Sequence, residues 1–184
     1  MMGTTHALVG LLLATPLLAV SPDLAVAGAL AGMAGGVFPD LDLLVGHHRK
    51  TLHFPGYYWL VALPALGVAA VVPGPATVAV ALFALSAAVH SVTDVFGAAN
   101  EPRPWDRTSA EAVYLHARDR WLAPRYWVRY DGAPEDYLLT VVCSVPGLVA
   151  FGATVRRVTI GVLAVATAYV FVRKSLPRFE ERFL

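Results

Sequence analysis

Six apolar runs, separated by proline, glycine and charged breaks, take up most of this chain and limit its fold more than any other feature. They cover roughly residues 7–20, 24–38, 57–72, 76–96, 137–154 and 158–172. The breaks are Ser21-Pro22-Asp23, the 39–56 loop, Pro73-Gly74-Pro75, the long segment 97–136, and Arg156-Arg157. Proline lacks a backbone donor and glycine is conformationally free, so both punctuate helices. Several runs fall short of the about 20 residues that a hydrocarbon core asks for. A short apolar run can also be a core helix of a soluble protein. Six of them in 184 residues leave too little polar surface for that alternative. The chain is 57% hydrophobic and 15% charged, whereas soluble domains run at about 45–50% and about 25%. The sequence therefore predicts an all-α, polytopic membrane protein with about six short transmembrane helices.

The same figures exclude a disordered chain. A formal charge of +1 excludes a broad basic field for nucleic acid. The single cysteine, Cys143, excludes an intrachain disulfide and a multi-cysteine zinc cluster. No Lys or Arg precedes the first run, which lacks the positive region of a cleavable signal and is expected to stay as a membrane helix. With six spans, the N-terminus, the 39–56 loop, the 97–136 segment and the C-terminus share one side. Twelve of the fourteen Lys and Arg residues lie there, including Arg178 and Arg182, and only Arg156 and Arg157 lie opposite. The positive-inside rule puts that side, with both termini, in the cytoplasm of a multi-pass protein of the cell membrane.

Three regions follow: a four-span core over 1–97, a cytoplasmic or interfacial segment over 98–136, and two further spans with a basic tail over 137–184. In the middle region Thr108-Ser109-Ala110-Glu111 reads as a capping box, and an amphipathic helix to about Leu122 is expected to lie on the membrane surface. Trp105, Trp121, Tyr126 and Trp127 suit the headgroup layer.

Chemistry-bearing residues are few and clustered. His6 starts the first span. Asp40 and Asp42 end the second, His48 and His53 lie in the loop that follows, and His90 and Asp94 share one helix face near the end of the fourth. Each feature alone has a bland reading: a structural histidine, a helix cap, or a basic patch for lipid headgroups. The topology, deduced without the histidines, brings all of them to the cytoplasmic ends of spans one, two and four. Imidazoles and carboxylates gathered in one pocket call for a cation, and a divalent metal takes neutral imidazole and ionised carboxylate as ligands. Gly28, Gly32, Gly35 and Gly36 permit close helix approach, which would draw Asp40 toward His6 and His90.

With those residues in hand, the chain resembles the YdjM-like family of membrane-bound, metal-dependent hydrolases. The resemblance rests on Thr5-His6, Phe38-Pro39-Asp40-Leu41-Asp42, Gly46-His47-His48-Arg49 with His53 beyond it, and His90-Ser91-Val92-Thr93-Asp94. It covers about the first half of the chain. It implies a helical membrane protein whose metal-site positions are His6, Asp40, Asp42, His48, His53, His90 and Asp94. His116 receives no role from it.

Seven candidate ligands exceed what one four-coordinate zinc holds. Either two metals share a bridging aspartate, the arrangement favoured here, or some of the seven orient the true ligands. The donor set suits zinc, manganese or iron. The expected mechanism is hydrolysis by a metal-bound water whose pKa falls from 15.7 toward about 7. Asp42 would relay the proton, and Arg49 would fix an anionic oxygen such as a phosphate oxygen. A site at the cytoplasmic face beside apolar helices suggests an amphiphilic or phosphate-containing substrate, such as a lipid phosphoester. Two other readings compete. A metal or ion transporter would place its ligands near the midplane, and a non-catalytic scaffold would hold a structural metal in a closed site.

Overall fold

Backbone groups in an apolar run need partners within the run, and a helix supplies them. The computed structural model describes residues 1–177, so Arg178 and Arg182 lie outside the described residues. The helices are α1 (Gly3–Ala14), α2 (Leu17–Val20), α3 (Pro22–Val37), α4 (Tyr58–Val71), α5 (Pro75–Thr93), α6 (Pro134–Val149) and α7 (Ala153–Val172). Each of the six apolar runs is helical, the first divided between α1 and α2 ahead of Pro16. The stretches Gly3–Val20, Pro22–Leu43, Pro75–Phe96 and Ala153–Ser175 are long and apolar enough to cross a membrane. The other two are shorter: α4 has 14 residues and α6 has 16. Leu60, Val61 and Leu63 on α4 and Ile160, Val165 and Phe171 on α7 are exposed. Outward-facing apolar rows of this kind are compatible with a membrane protein.

Helix α3 packs against α1 and α5, α4 against α5, and α6 against α1 and α7. The core joins both ends of the chain, with Leu8 and Leu11 of α1 meeting Ala29, Leu82, Cys143, Phe151 and Val155. Glycine makes the tightest crossing possible. A Cβ on Gly10 would run into the Gly32 carbonyl, and a Cβ on Gly32 into that of Gly10. Such contacts matter where the surrounding solvent is itself apolar, because packing rather than water exclusion then draws helices together.

Hydrogen bonds gather the polar parts at one end of the bundle. The Met1 amine reaches Asp94 at the end of α5, and Asp131, just before α6, holds Arg173 at the end of α7. Asp136, fully buried in the first turn of α6, accepts from the Met2 N–H at 2.8 Å, the Thr5 hydroxyl at 2.7 Å and the Gly132 N–H at 3.0 Å. One carboxylate thereby ties the start of α1 to α6. Asp136→Ala leaves the buried Met2 and Gly132 N–H groups without an acceptor, while the Thr5 hydroxyl keeps Thr140 Oγ1 at 2.7 Å, and is expected to lower stability by about 2–3 kcal/mol. Denaturant unfolding of the detergent-solubilised protein measures this, and an unchanged midpoint would refute the anchoring role.

The expected surface helix over 108–122 is absent, and a small hairpin stands in its place. Strand β1 (Val113–Leu115) pairs antiparallel with β2 (Arg120–Leu122), and Tyr114 stands opposite Trp121. The capping box does not form because Thr108 turns back to Glu101, which accepts from its N–H at 3.0 Å and from its hydroxyl. Val113, Tyr114, Trp121 and Leu122 favour a pleated surface, and Asp119, with φ of 49°, makes the reversal. Tyr114 N–H also donates to the Arg49 carbonyl at 3.0 Å, so the hairpin braces the 44–57 loop. The last break differs too. It falls at Gly152, the N-cap of α7, and Arg156 and Arg157 lie in the early turns of that helix, exposed.

Candidate metal centre

Three elements converge at the polar end of the bundle. Pro39 is the second residue of a six-residue 3₁₀ turn, Phe38–Leu43, that continues α3 and carries Asp40 and Asp42. The loop after it delivers His48 and His53. His90 in the last turn of α5 and Asp94 one turn on share a helix face. His53, His90 and Asp94 are buried, and Asp40 keeps 15% of its side chain exposed.

Asp40, His53, His90 and Asp94 point one donor atom each at a common centre. His53 Nε2 and His90 Nε2 are 3.2 Å apart. Asp40 Oδ1 is 3.6 Å from the first and 3.3 Å from the second, and Asp94 Oδ2 is 3.4 Å from both. A tetrahedron of ligands with bonds of about 2.0–2.1 Å has edges of about 3.3–3.4 Å, so these spacings fit a small four-coordinate cation.

The proton inventory leads to the same result. His90 Nδ1 must donate to the Gly36 carbonyl, 2.6 Å away, because that oxygen can only accept. His53 Nδ1 likewise faces the Asp42 carboxylate at 2.9 Å. The neutral imidazoles therefore turn lone pairs on both Nε2 atoms toward two carboxylate oxygens. Four acceptors facing one another, three of them buried, need a cation, or extra protons on the imidazoles, to be held together. These buried His and Asp groups could hold a metal ion.

The other expected ligands lie around this group. His6 is outside it: its ring stacks on His90 with centroids 3.6 Å apart, and its Nε2 meets Asp94 Oδ1 at 2.8 Å. Its Nδ1 is buried without a partner. Asp42, His48 and His53 form a second group within ligating reach. Its contacts have hydrogen-bond lengths, His48 Nδ1 to Asp42 Oδ1 at 2.8 Å and the Leu52 N–H to Asp42 Oδ2 at 3.2 Å. Asp42 thus stands behind His53, on the nitrogen opposite the centre. Arg49, with φ of 61°, is buried, and its Nη1 donates to the Ala98 carbonyl at 2.6 Å. Its Nε stands 3.6 Å from Asp94 Oδ2. His116 is elsewhere, against Phe54 and Tyr114 on the hairpin, where burial and then the charge of Lys50 push its imidazole below the ordinary value.

A cavity of about 720 Å³ opens beside the centre. Asp40, His48 and Arg49 line it together with the apolar side chains of Val37, Leu41, Val162 and Val165. Sequence reasoning missed the far wall. Asp131 binds Arg173 through both carboxylate oxygens at 2.6 and 3.0 Å and accepts from the Tyr169 hydroxyl. Asn100 donates to the His48 carbonyl at 3.1 Å. No spacing signal links these residues, because the partners come from separate elements.

No family model matches this chain, and no curated protein or solved structure matches it either.

Proposed function

We propose that this chain is a membrane-embedded, metal-dependent hydrolase of the YdjM-like kind, with six crossings, both termini in the cytoplasm, and an amphiphilic, phosphate-bearing substrate. The observation that carries this reading is a set of four acceptor atoms beside an amphiphilic cavity, three of them buried, in which the two imidazole Nε2 atoms lie 3.2–3.6 Å from each other and from the two carboxylate oxygens. Asp40, His53, His90 and Asp94 would hold one divalent ion, of which zinc, manganese and iron all suit the donors. Such an ion supplies Lewis acidity and lowers the pKa of a coordinated water.

The protein's own groups divide the remaining work. Asp42 fixes the tautomer and orientation of His53, as a carboxylate behind a ligating histidine does. The same carboxylate holds His48 by Nδ1 and leaves its Nε2 to the cavity as the group that takes or returns a proton. Asp42 therefore works through two histidines, and direct relay by its own oxygens is not needed. Arg49 balances the charge of Asp94 through Nε and, as a residue lining the cavity, would offer its guanidinium to an anionic oxygen of the substrate. Val37, Leu41, Val162 and Val165 would receive the apolar part. The ligands come from helix ends, Asp40 beyond α3 and Asp94 beyond α5. That placement argues against a carrier, whose sites lie near the midplane.

One observation favours the scaffold reading. Four protein donors can close a tetrahedron, as structural sites do. Asp40 supports the hydrolase, since it is the partly exposed donor and borders the cavity. The test is turnover by metal-replete protein in vesicles whose phospholipids report release of a phosphorylated headgroup or inorganic phosphate. Expected activity disappears on chelation and returns with metal. Metal-replete protein that cleaves no phosphoester, with a cobalt-substituted spectrum of a closed tetrahedral site, would replace the hydrolase by the scaffold. Asp42→Asn is expected to weaken metal affinity about 10- to 100-fold while the helices persist. Competition with a chelating dye measures it, and unchanged affinity would remove Asp42 from the positioning role.

A further inference from the structure

Helices α6 and α7 pack together, and the start of α6 and the end of α7 lie at the polar end of the bundle. At that seam a pocket of about 230 Å³ is lined by Trp105, Arg107, Arg129, Tyr130 and Lys174. The Trp105 and Tyr130 rings meet edge to face, 5.6 Å between centroids. Lys174 Nζ stands 5.4 Å from the Tyr130 ring and 5.9 Å from Trp105. The Arg107 guanidinium lies 4.5 Å over Tyr126, and its backbone holds φ at 54°. Arg129 is balanced by Glu135, which accepts from Nε and Nη2 at 2.9 Å each. Those two hydrogen bonds keep Arg129 occupied with Glu135. Among the described residues neither Arg107 nor Lys174 is in an ion pair. Two positive charges on aromatic faces are thus left facing one small pocket.

The geometry points to a second ligand site here, a pocket for the phosphate of an anionic membrane lipid built from Arg107 and Lys174 on a floor of Trp105 and Tyr130. On the six-crossing reading proposed above, depth identifies the lipid as the occupant. Arg129 and Tyr130 lie five and four residues ahead of α6 and Lys174 two residues after α7, which is where apolar helices meet headgroups. Phe171 and Trp127 are 82% and 73% exposed nearby in the chain, apolar rings that suit the edge of a bilayer. Basic pockets between helices at that level bind acidic headgroups. None of these residues is a proposed metal ligand, so the pocket stands or falls separately from the hydrolase reading.

The test uses the full chain in detergent, titrated with phosphatidylglycerol, phosphatidylcholine or inorganic phosphate, with retained ligand counted by native mass spectrometry. Phosphatidylglycerol is expected to bind in preference to phosphatidylcholine. At about 1 kcal/mol per basic residue near a membrane surface, Arg107→Gln with Lys174→Gln should weaken it about thirtyfold. Arg118→Gln with Arg120→Gln removes the same charge from the exposed hairpin and should leave retention unchanged. Lys174→Gln alone should give an intermediate loss, and metal content should stay at the wild-type level in every variant. Equal retention of the two lipids, or wild-type retention by the Arg107/Lys174 variant, would overturn the site. Displacement of the lipid by inorganic phosphate at equal concentration would assign the pocket to a soluble anion instead.

Discussion

Purified His90→Ala protein is expected to carry almost no divalent metal, with affinity reduced at least about 100-fold, because even partners that only orient a ligand cost 10- to 100-fold when removed. His90 occupies the middle of the cluster. Its Nε2 is within 3.4 Å of Asp40, His53 and Asp94, while Nδ1 is bound to Gly36 and one ring face is covered by His6. Alanine deletes a ligand and also leaves the Gly36 carbonyl without its donor. Elemental analysis after size-exclusion chromatography separates metal loss from unfolding, since an unfolded variant would not elute with the wild-type protein. A monodisperse variant with full metal occupancy would mean that the buried acceptors are held by protons, and the metal centre would fall. Thermal unfolding should agree: chelation ought to lower the wild-type midpoint and leave that of the variant unmoved, because only the native state has the assembled site.

The second large effect is expected at Gly36→Val. A Cβ there would collide with the His6 carbonyl, and both atoms belong to helix backbone that cannot swing aside. Helices α1 and α3 must separate, at a cost of about 3 kcal/mol or more. Gly36 also supplies the carbonyl that orients His90, so the same shift displaces a ligand. Stability and metal content should therefore fall together. Gly56→Val is the control, because nothing lies within 4 Å of a Cβ at that position. If Gly36→Val kept its metal, the close approach of α1 and α3 would be irrelevant to the site.

These two variants mark the division between what residue order contains and what folding adds. Asp40, His53, His90 and Asp94 are legible in the sequence because an ionisable side chain at the edge of an apolar run is costly unless paired or bound. The small-residue stretch of α3 is legible for a similar reason, since Gly32, Gly35 and Gly36 leave room for another backbone. Roles within the cluster were not legible. His6, Asp42 and His48 are the same residue types at similar edges, yet Asp42 lies behind His53 and His6 on top of His90. Ligand and supporting partner differ by which ring nitrogen or carboxylate oxygen faces the centre, which spacing along the chain does not encode. Thr108 misled in the same way: its local signature favours a helix cap, and Glu101 captured it instead.

Residue order determined the helical runs, the breaks at Ser21 and Gly74, and the collection of imidazoles and carboxylates at one end of the bundle. Each is a consequence of local chemistry, in which apolar segments require internal hydrogen bonding and charged groups gather where those segments stop. The tertiary structure alone decided which four donors meet, that α7 supplies a wall of the cavity, and that Arg107 and Lys174 share a pocket with Trp105 and Tyr130. Those juxtapositions come from packing between helices far apart in the chain, where tenths of an ångström at a glycine crossing decide which side chains touch.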